Sequence, residues 1–181
     1  MLEDGKVDLN DAGADTNDNF PDGAYSPTDG DLIGLAAGAS PPLVIGSVAA
    51  RMWRDTDQSI ADDTETALVM SDELYDAGHL WDPANLSRLT AQVKGFYVFG
   101  ASVEWDTNTT GIRRISIRKD GSLMLARHRG TAHNTLEQAI ATGVFMEAGA
   151  YVQALVYQNS GGARDIISAQ GSPILWGARL F

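Results

Sequence analysis

Residues Gly95 to Trp105 read GFYVFGASVEW, and a strand of that composition is apolar on both of its faces. Successive side chains of a strand point to opposite sides of the sheet. Phe96 and Val98 therefore fall on one face, and Tyr97, Phe99, Ala101, Val103 and Trp105 on the other. A two-layer sandwich needs only one buried face per strand. A strand apolar on both sides constrains the chain twice: one face fills a sandwich, and the other needs cover from outside it, most simply from another copy of the same chain. Alternation alone does not say which face does which. It predicts that neither is open to water.

From Ala49 onward the chain is strand after strand with turn signals between. The expected strands are Ala50–Arg54, Glu65–Met70, Leu74–Trp81, Ser87–Ala91, Gly95–Trp105, Gly111–Lys119, Leu123–Arg129, Leu136–Met146, Tyr151–Gln158, Asp165–Ala169 and Ile174–Phe181. About ten short strands with no convincing amphipathic helix is the pattern of an all-β sandwich or jelly roll. Thr135 to Thr142 has the propensity of a short helix, but the Gly143, Val144 and Phe145 that follow favour a strand. The clearest turn is Lys119-Asp120-Gly121-Ser122, because Asp-Gly supplies the positive φ values that a two-residue hairpin turn demands. That register pairs Ile117 with Met124 and Ile115 with Ala126 on an apolar face. It pairs Arg114 with Arg127 and Arg118 with Leu123 on a basic one.

The 181 residues, 44% of them hydrophobic, provide for one domain plus a tail. Cysteine is absent, which removes disulfides, thiolate metal sites and a cysteine nucleophile. The start, MLEDGKVDLNDAG, lacks the basic and apolar regions of a signal peptide. The most apolar early stretch, Leu32 to Ala50, is broken by Ser40, Pro41 and Pro42 and falls short of the roughly 20 apolar residues of a spanning helix. The expectation is a soluble protein made in a cytoplasm, without membrane insertion. Charge is unevenly spread. Of the net −11, −8 lies between Met1 and Asp31, where nine acids face Lys6 alone. Residues 1–48 read as an extended acidic arm and linker, and residues 49–181 as the folded domain. An acidic arm argues against nucleic acid as its partner.

Within the domain, Arg88-Leu89-Thr90-Ala91 followed by Val93, Gly95, Tyr97 and Trp105 resembles the central motif of the complement C-one-q globular head, part of the tumour necrosis factor jelly-roll superfamily. Three further pieces are similar: Ala148-Gly149-Ala150-Tyr151-Val152 with Val156-Tyr157-Gln158-Asn159-Ser160, the terminal Gly177-Ala178-Arg179-Leu180, and the leading Ala50-Arg51-Met52-Trp53. The resemblance spans about Ala49 to Phe181, and in particular the domain looks like the versions found in bacteriophage virion proteins. It implies a ten-stranded jelly roll that assembles as a compact homotrimer, with first and last strands side by side in the inner sheet. Phe96, Tyr97, Val98, Phe99, Ala101, Val103 and Trp105 would then divide between core and trimer interface. A collagen repeat, a secretion signal and a heptad shaft are all missing from this sequence, so it departs from animal members and from long fibres.

Other constellations are weaker. Asp15, Asn17, Asn19 and Asp22 alternate as calcium ligands do, but Phe20 replaces the turn glycine and Ser26 the closing glutamate. His79, His128 and His133 have no paired spacing for zinc, no Gly-x-Ser-x-Gly elbow is present, and no acid pair is set apart for catalysis. No enzyme activity, metal or cofactor is expected. Arg114, Arg118, Arg127 and Arg129, with Arg113 and His128 close by, form either a patch for an anionic glycan or for a neighbour's acidic arm, or edge charges that are solvated or paired with acids of the same domain. Trp53, Trp105 and Trp176 are expected to pack in strands, whereas Trp81 precedes a loop. The combined expectation is a bacteriophage virion structural protein: a trimeric knob held to the major capsid or a tail protein by its arm, as a capsid decoration or head fibre. The alternative is a tail or baseplate receptor-binding module that recognises host surface glycan or protein.

Overall fold

The computed structural model describes residues 48–134, 136–168 and 172–181. Twelve strands follow in order: β1 (Ala49–Trp53), β2 (Gln58–Ile60), β3 (Thr66–Ala67), β4 (Asp72–Ala77), β5 (Leu89–Thr90), β6 (Gly95–Trp105), β7 (Ile112–Lys119), β8 (Leu123–Thr131), β9 (Leu136–Met146), β10 (Tyr151–Gln158), β11 (Arg164–Ile166) and β12 (Ile174–Arg179). The count exceeds the ten expected. One addition is β2, three residues long and too short to show periodicity. The segment with helical propensity is the eleven-residue β9, whose burial alternates residue by residue.

The strands form two antiparallel sheets. One has seven strands in the order β2-β11-β6-β12-β1-β4, with β9 on the free edge of β6; the other has five, β3-β10-β7-β8, with β5 on β10. β12 lies between β1 and β6, so the first and last strands are neighbours, as the resemblance implied. Ala50 faces Gly177, and the Arg179 N–H donates to the Val48 carbonyl.

The doubly apolar strand is β6, and its two faces have different fates. Tyr97, Phe99, Ala101, Val103 and Trp105 are each no more than 2% exposed and fill the sandwich. They pack with Ile115 and Ile117 of β7 and with Val152, Ala154 and Val156 of β10. Full burial of a side chain such as Phe99 contributes about 2 to 3 kcal/mol. Tyr97 and Phe99 stack with centroids 5.7 Å apart. The opposite face, with Phe96 and Val98, is only half-buried. Among the described residues nothing covers the outside of this sheet, so a single chain leaves this face for the cover from another copy that the sequence predicts.

The β7–β8 hairpin also differs from its expected register. Asp120 and Gly121 do take positive φ, +50° and +71°, and Ser122 N–H donates to the Lys119 carbonyl, as the Asp-Gly turn requires. However, Lys119 pairs with Leu123 and Arg118 with Met124, and a bulge then brings Ile117 opposite Ala126 and Arg114 opposite Arg129. Leu123, not Ser122, faces Lys119, so the loop has three residues and shifts the register by one; the bulge shifts it by one more, and together they place Arg127 opposite Ser116 rather than Arg114.

Candidate functional site

Two surfaces are assembled by this topology, one on the outside of each sheet. On the seven-stranded sheet, register places side chains in rows that cross five strands. One row runs Ala141, Gly100, Trp176, Arg51 and Tyr75; the next runs Ala139, Ser102, Ile174, Trp53 and Asp72. The β9 end of these rows is small, with Ala139, Ala141 and Gly143 all exposed. The β1–β4 end is bulky, with Trp53 39% and Tyr75 47% exposed.

The middle of the face is kept flat by aromatics lying over glycines. A Cβ on Gly100 would fall inside the indole of Trp176, its register partner, and one on Gly143 would come 2.7 Å from the Phe96 ring. Phe96 stacks in turn on Phe181, 5.5 Å between centroids. Phe145, directly opposite Phe96, is 48% exposed. At one end Glu104 stands opposite Glu137. Phe96 and Val98 are thus brought onto this outer surface, while the other five residues of the β6 set belong to the core.

The outside of the five-stranded sheet is basic. Two adjacent rows run Tyr157, Arg114, Arg129 and Leu155, Ser116, Arg127. Glu65 takes one arginine on each carboxylate oxygen: Arg114 at 3.0 Å and Arg118 on the other. Both arginines are about three-quarters buried, and the Arg114 guanidinium also lies 4.4 Å from the Tyr157 ring centroid. The Tyr157 hydroxyl donates to Asp63, which raises the phenol above its ordinary pKa. Arg127 and Arg129 are exposed and have no acidic partner among the described residues. Of the four arginines expected to form a patch, two are therefore neutralised internally, and the other two have no acidic partner among the described residues.

Arg113 does not join them. It is 1% exposed, points into the sandwich, and donates to the Thr110 and Ile112 carbonyls and to Asn108 Oδ1. Burial depresses its pKa, which Asp106 partly offsets. Its guanidinium sits 5.3 Å from the Trp105 ring, and the Trp105 indole N–H donates to Gln138 at 3.0 Å. Neither this buried network nor Glu65 was foreseen, and no local sequence signal marks them, since Glu65 lies 49 residues from Arg114. Trp53, expected to pack, stands out on the first surface. Trp81 is half-buried against the core, and its backbone N–H is held by the Asp76 carboxylate.

Among the described residues no three His, Asp or Glu side chains converge as metal ligands. The acidic arm and the Asp15, Asn17, Asn19 and Asp22 set lie outside the described residues.

No family model and no curated protein matches this sequence. Solved structures do. Murine APRIL superposes with a TM-score of 0.60 at 11% identity, over 74% of this chain and 99% of that one. Eiger TNF from S. frugiperda gives 0.54 at 12%, over 75% and 94%. The globular domain of zebrafish complement 1qA gives 0.49 at 12%, over 74% and 97%.

Proposed function

Starting from a jelly roll of the tumour necrosis factor type, we propose that this protein is a homotrimeric, non-catalytic knob. It serves as a bacteriophage virion structural protein, a capsid decoration or head fibre attached to the particle by its acidic arm. The observation that carries the trimer is the outer face of the seven-stranded sheet. Exposed apolar surface of this kind marks an interaction site. Its two ends are complementary and lie in the same rows: Trp53 and Tyr75 at one end, Ala139 and Ala141 at the other. Rotation about an axis along the strands keeps rows at one height, so the bulky end of one copy meets the small end of the next. Such a contact joins different patches, and closes into a ring when the rotation is threefold.

The virion assignment is supported by the resemblance of the β6 and β12 motifs and by the arm, with nine acids against one base. Three arms per knob would multiply a weak attachment by avidity. A receptor-binding module of a tail or baseplate is the second reading, favoured by Arg127 and Arg129, which are exposed and without an acidic partner among the described residues.

Light scattering on the full chain tests the trimer: three chain masses are expected, and a monomer overturns the proposal. Ala141→Glu, which buries a charge at the small end, should give monomers that keep their β circular dichroism. For the particle role, deletion of residues 1–47 should abolish incorporation into particles. Tight binding of the intact protein to host cells, undiminished by that deletion, would favour the receptor reading instead.

A further inference from the structure

We infer that the outer face of the five-stranded sheet binds an acidic polysaccharide through Arg114, Arg127 and Arg129. Arg114 and Arg129 are directly opposed, with Arg127 two residues along β8. Opposed side chains stand about 5 Å apart at Cβ, and i, i+2 neighbours about 7 Å apart. Three guanidinium groups thus share a small area in a chain whose net charge is −11. Like charges directly opposite are destabilising. Glu65 offsets part of that, and Asp63 at the rim engages Tyr157. Arg127 and Arg129 are left uncompensated among the described residues, so a ligand with closely spaced anions relieves a repulsion already present in the fold.

The floor between the arginines favours a glycan over other polyanions. Ser116 lies there, fully buried with its hydroxyl turned to the Leu155 carbonyl, so the floor offers no exposed aromatic face between the arginines. A protein interface is depleted of charge at its core, whereas the centre of this patch is three guanidinium groups. Single-stranded nucleic acid is held by bases stacked on aromatic side chains. The two tyrosines on this face already carry arginines, Arg114 on Tyr157 and Arg88 on Tyr151. What remains is paired, bidentate recognition of carboxylate or sulfate groups, for which arginine is suited. A purely protective role for the charges of an edge strand is the competing explanation.

The full chain is titrated at low salt with polygalacturonate and dextran sulfate, which separate carboxylate from sulfate, and with neutral dextran, polyglutamate and oligo-dT. Binding to at least one acidic polysaccharide is expected, weakening as salt rises. In Arg127→Gln/Arg129→Gln, affinity should fall tenfold or more, and the slope of log affinity against log salt by about two. Arg127→Lys/Arg129→Lys should keep most of that slope. The same patch exists on a monomer, so light scattering on the same samples reads the trimer separately from this binding. No binding, equal binding by the glutamine variant, or tighter binding to polyglutamate or oligo-dT overturns the inference.

Discussion

Gly177 is the position where the packing of this sandwich is most sharply testable. It lies in β12 on the inward side, paired with Phe99, and the Phe99 ring occupies the space its side chain would take. A Cβ there would sit 2.5 Å from Phe99 Cδ1 and 2.6 Å from Cε1, with Leu89 Cδ1 at 3.4 Å. Phe99 cannot swing away, because it is fully buried and stacked on Tyr97. Overpacking of a close-packed core costs about 1 to 3 kcal/mol. Against this, replacing glycine in a strand recovers roughly 0.5 to 1 kcal/mol. Gly177→Ala should therefore destabilise by about 1 to 2 kcal/mol, a loss of about 3 to 10 °C in Tm for a domain of this size. Urea and thermal denaturation at one fixed protein concentration measure it, since association makes Tm depend on concentration. Phe99→Leu on its own opens space that the new methyl can fill. The double variant should then be more stable than the sum of the singles by about 1 kcal/mol. Wild-type stability in Gly177→Ala, or simple additivity with Phe99→Leu, would refute the steric account.

Further expectations follow from the buried polar groups. Gln138→Leu strands the Trp105 indole N–H in the core and should cost about 1 to 3 kcal/mol by urea denaturation; adding Trp105→Phe should recover part of that loss. Burial raises the Tyr97 phenol above its ordinary pKa, with Arg179 opposing, so the folded state holds this proton more tightly than the unfolded state. Stability from this group is intact below the ordinary tyrosine value of about 10 and falls as pH rises past it. Tyr97→Phe should flatten that part of a stability profile recorded between neutral and strongly alkaline pH. Glu65→Gln leaves Arg114 and Arg118 without their shared carboxylate, so the domain should lose about 1 to 3 kcal/mol. The same variant should bind polygalacturonate or dextran sulfate more tightly, because the face becomes more positive.

What the sequence disclosed depended on how local the cause was. The alternation in β6 is a property of eleven consecutive residues, and it sorted the two faces; only the burial of Tyr97 and Phe99 in the structure says which of them is core. The Asp120-Gly121 turn is likewise local, and its backbone angles were legible. Its register was not, because the loop takes a third residue, Ser122, and a bulge near Leu125 adds a second step that depends on how β8 meets β7 rather than on the turn residues. Arginines could be counted in the sequence, but their partner could not: Glu65 arrives from another strand, and Arg113 differs from Arg114 only in parity. The exposed end of the outer face, Trp53 and Tyr75, comes from β1 and β4 meeting across a bulge between Arg51 and Met52. No pattern within either strand announces that junction.

The place of β12 has a consequence for how the domain comes into being. It is the last of the strands to be synthesised, yet it fills the slot between β1 and β6 in the larger sheet. Until it pairs, β1 and β6 have no bridge, and the inward residues Ala50, Met52 and Phe99 lack their neighbours Leu175 and Gly177 in the same sheet. Pairing β1 with β12 joins residues more than 120 positions apart, and such distant contacts make folding slow. Before β12 pairs, the longest apolar strand is open along most of one edge, a state prone to aggregation. Loss of a few residues from β12 would not trim the sheet but leave it split down the middle.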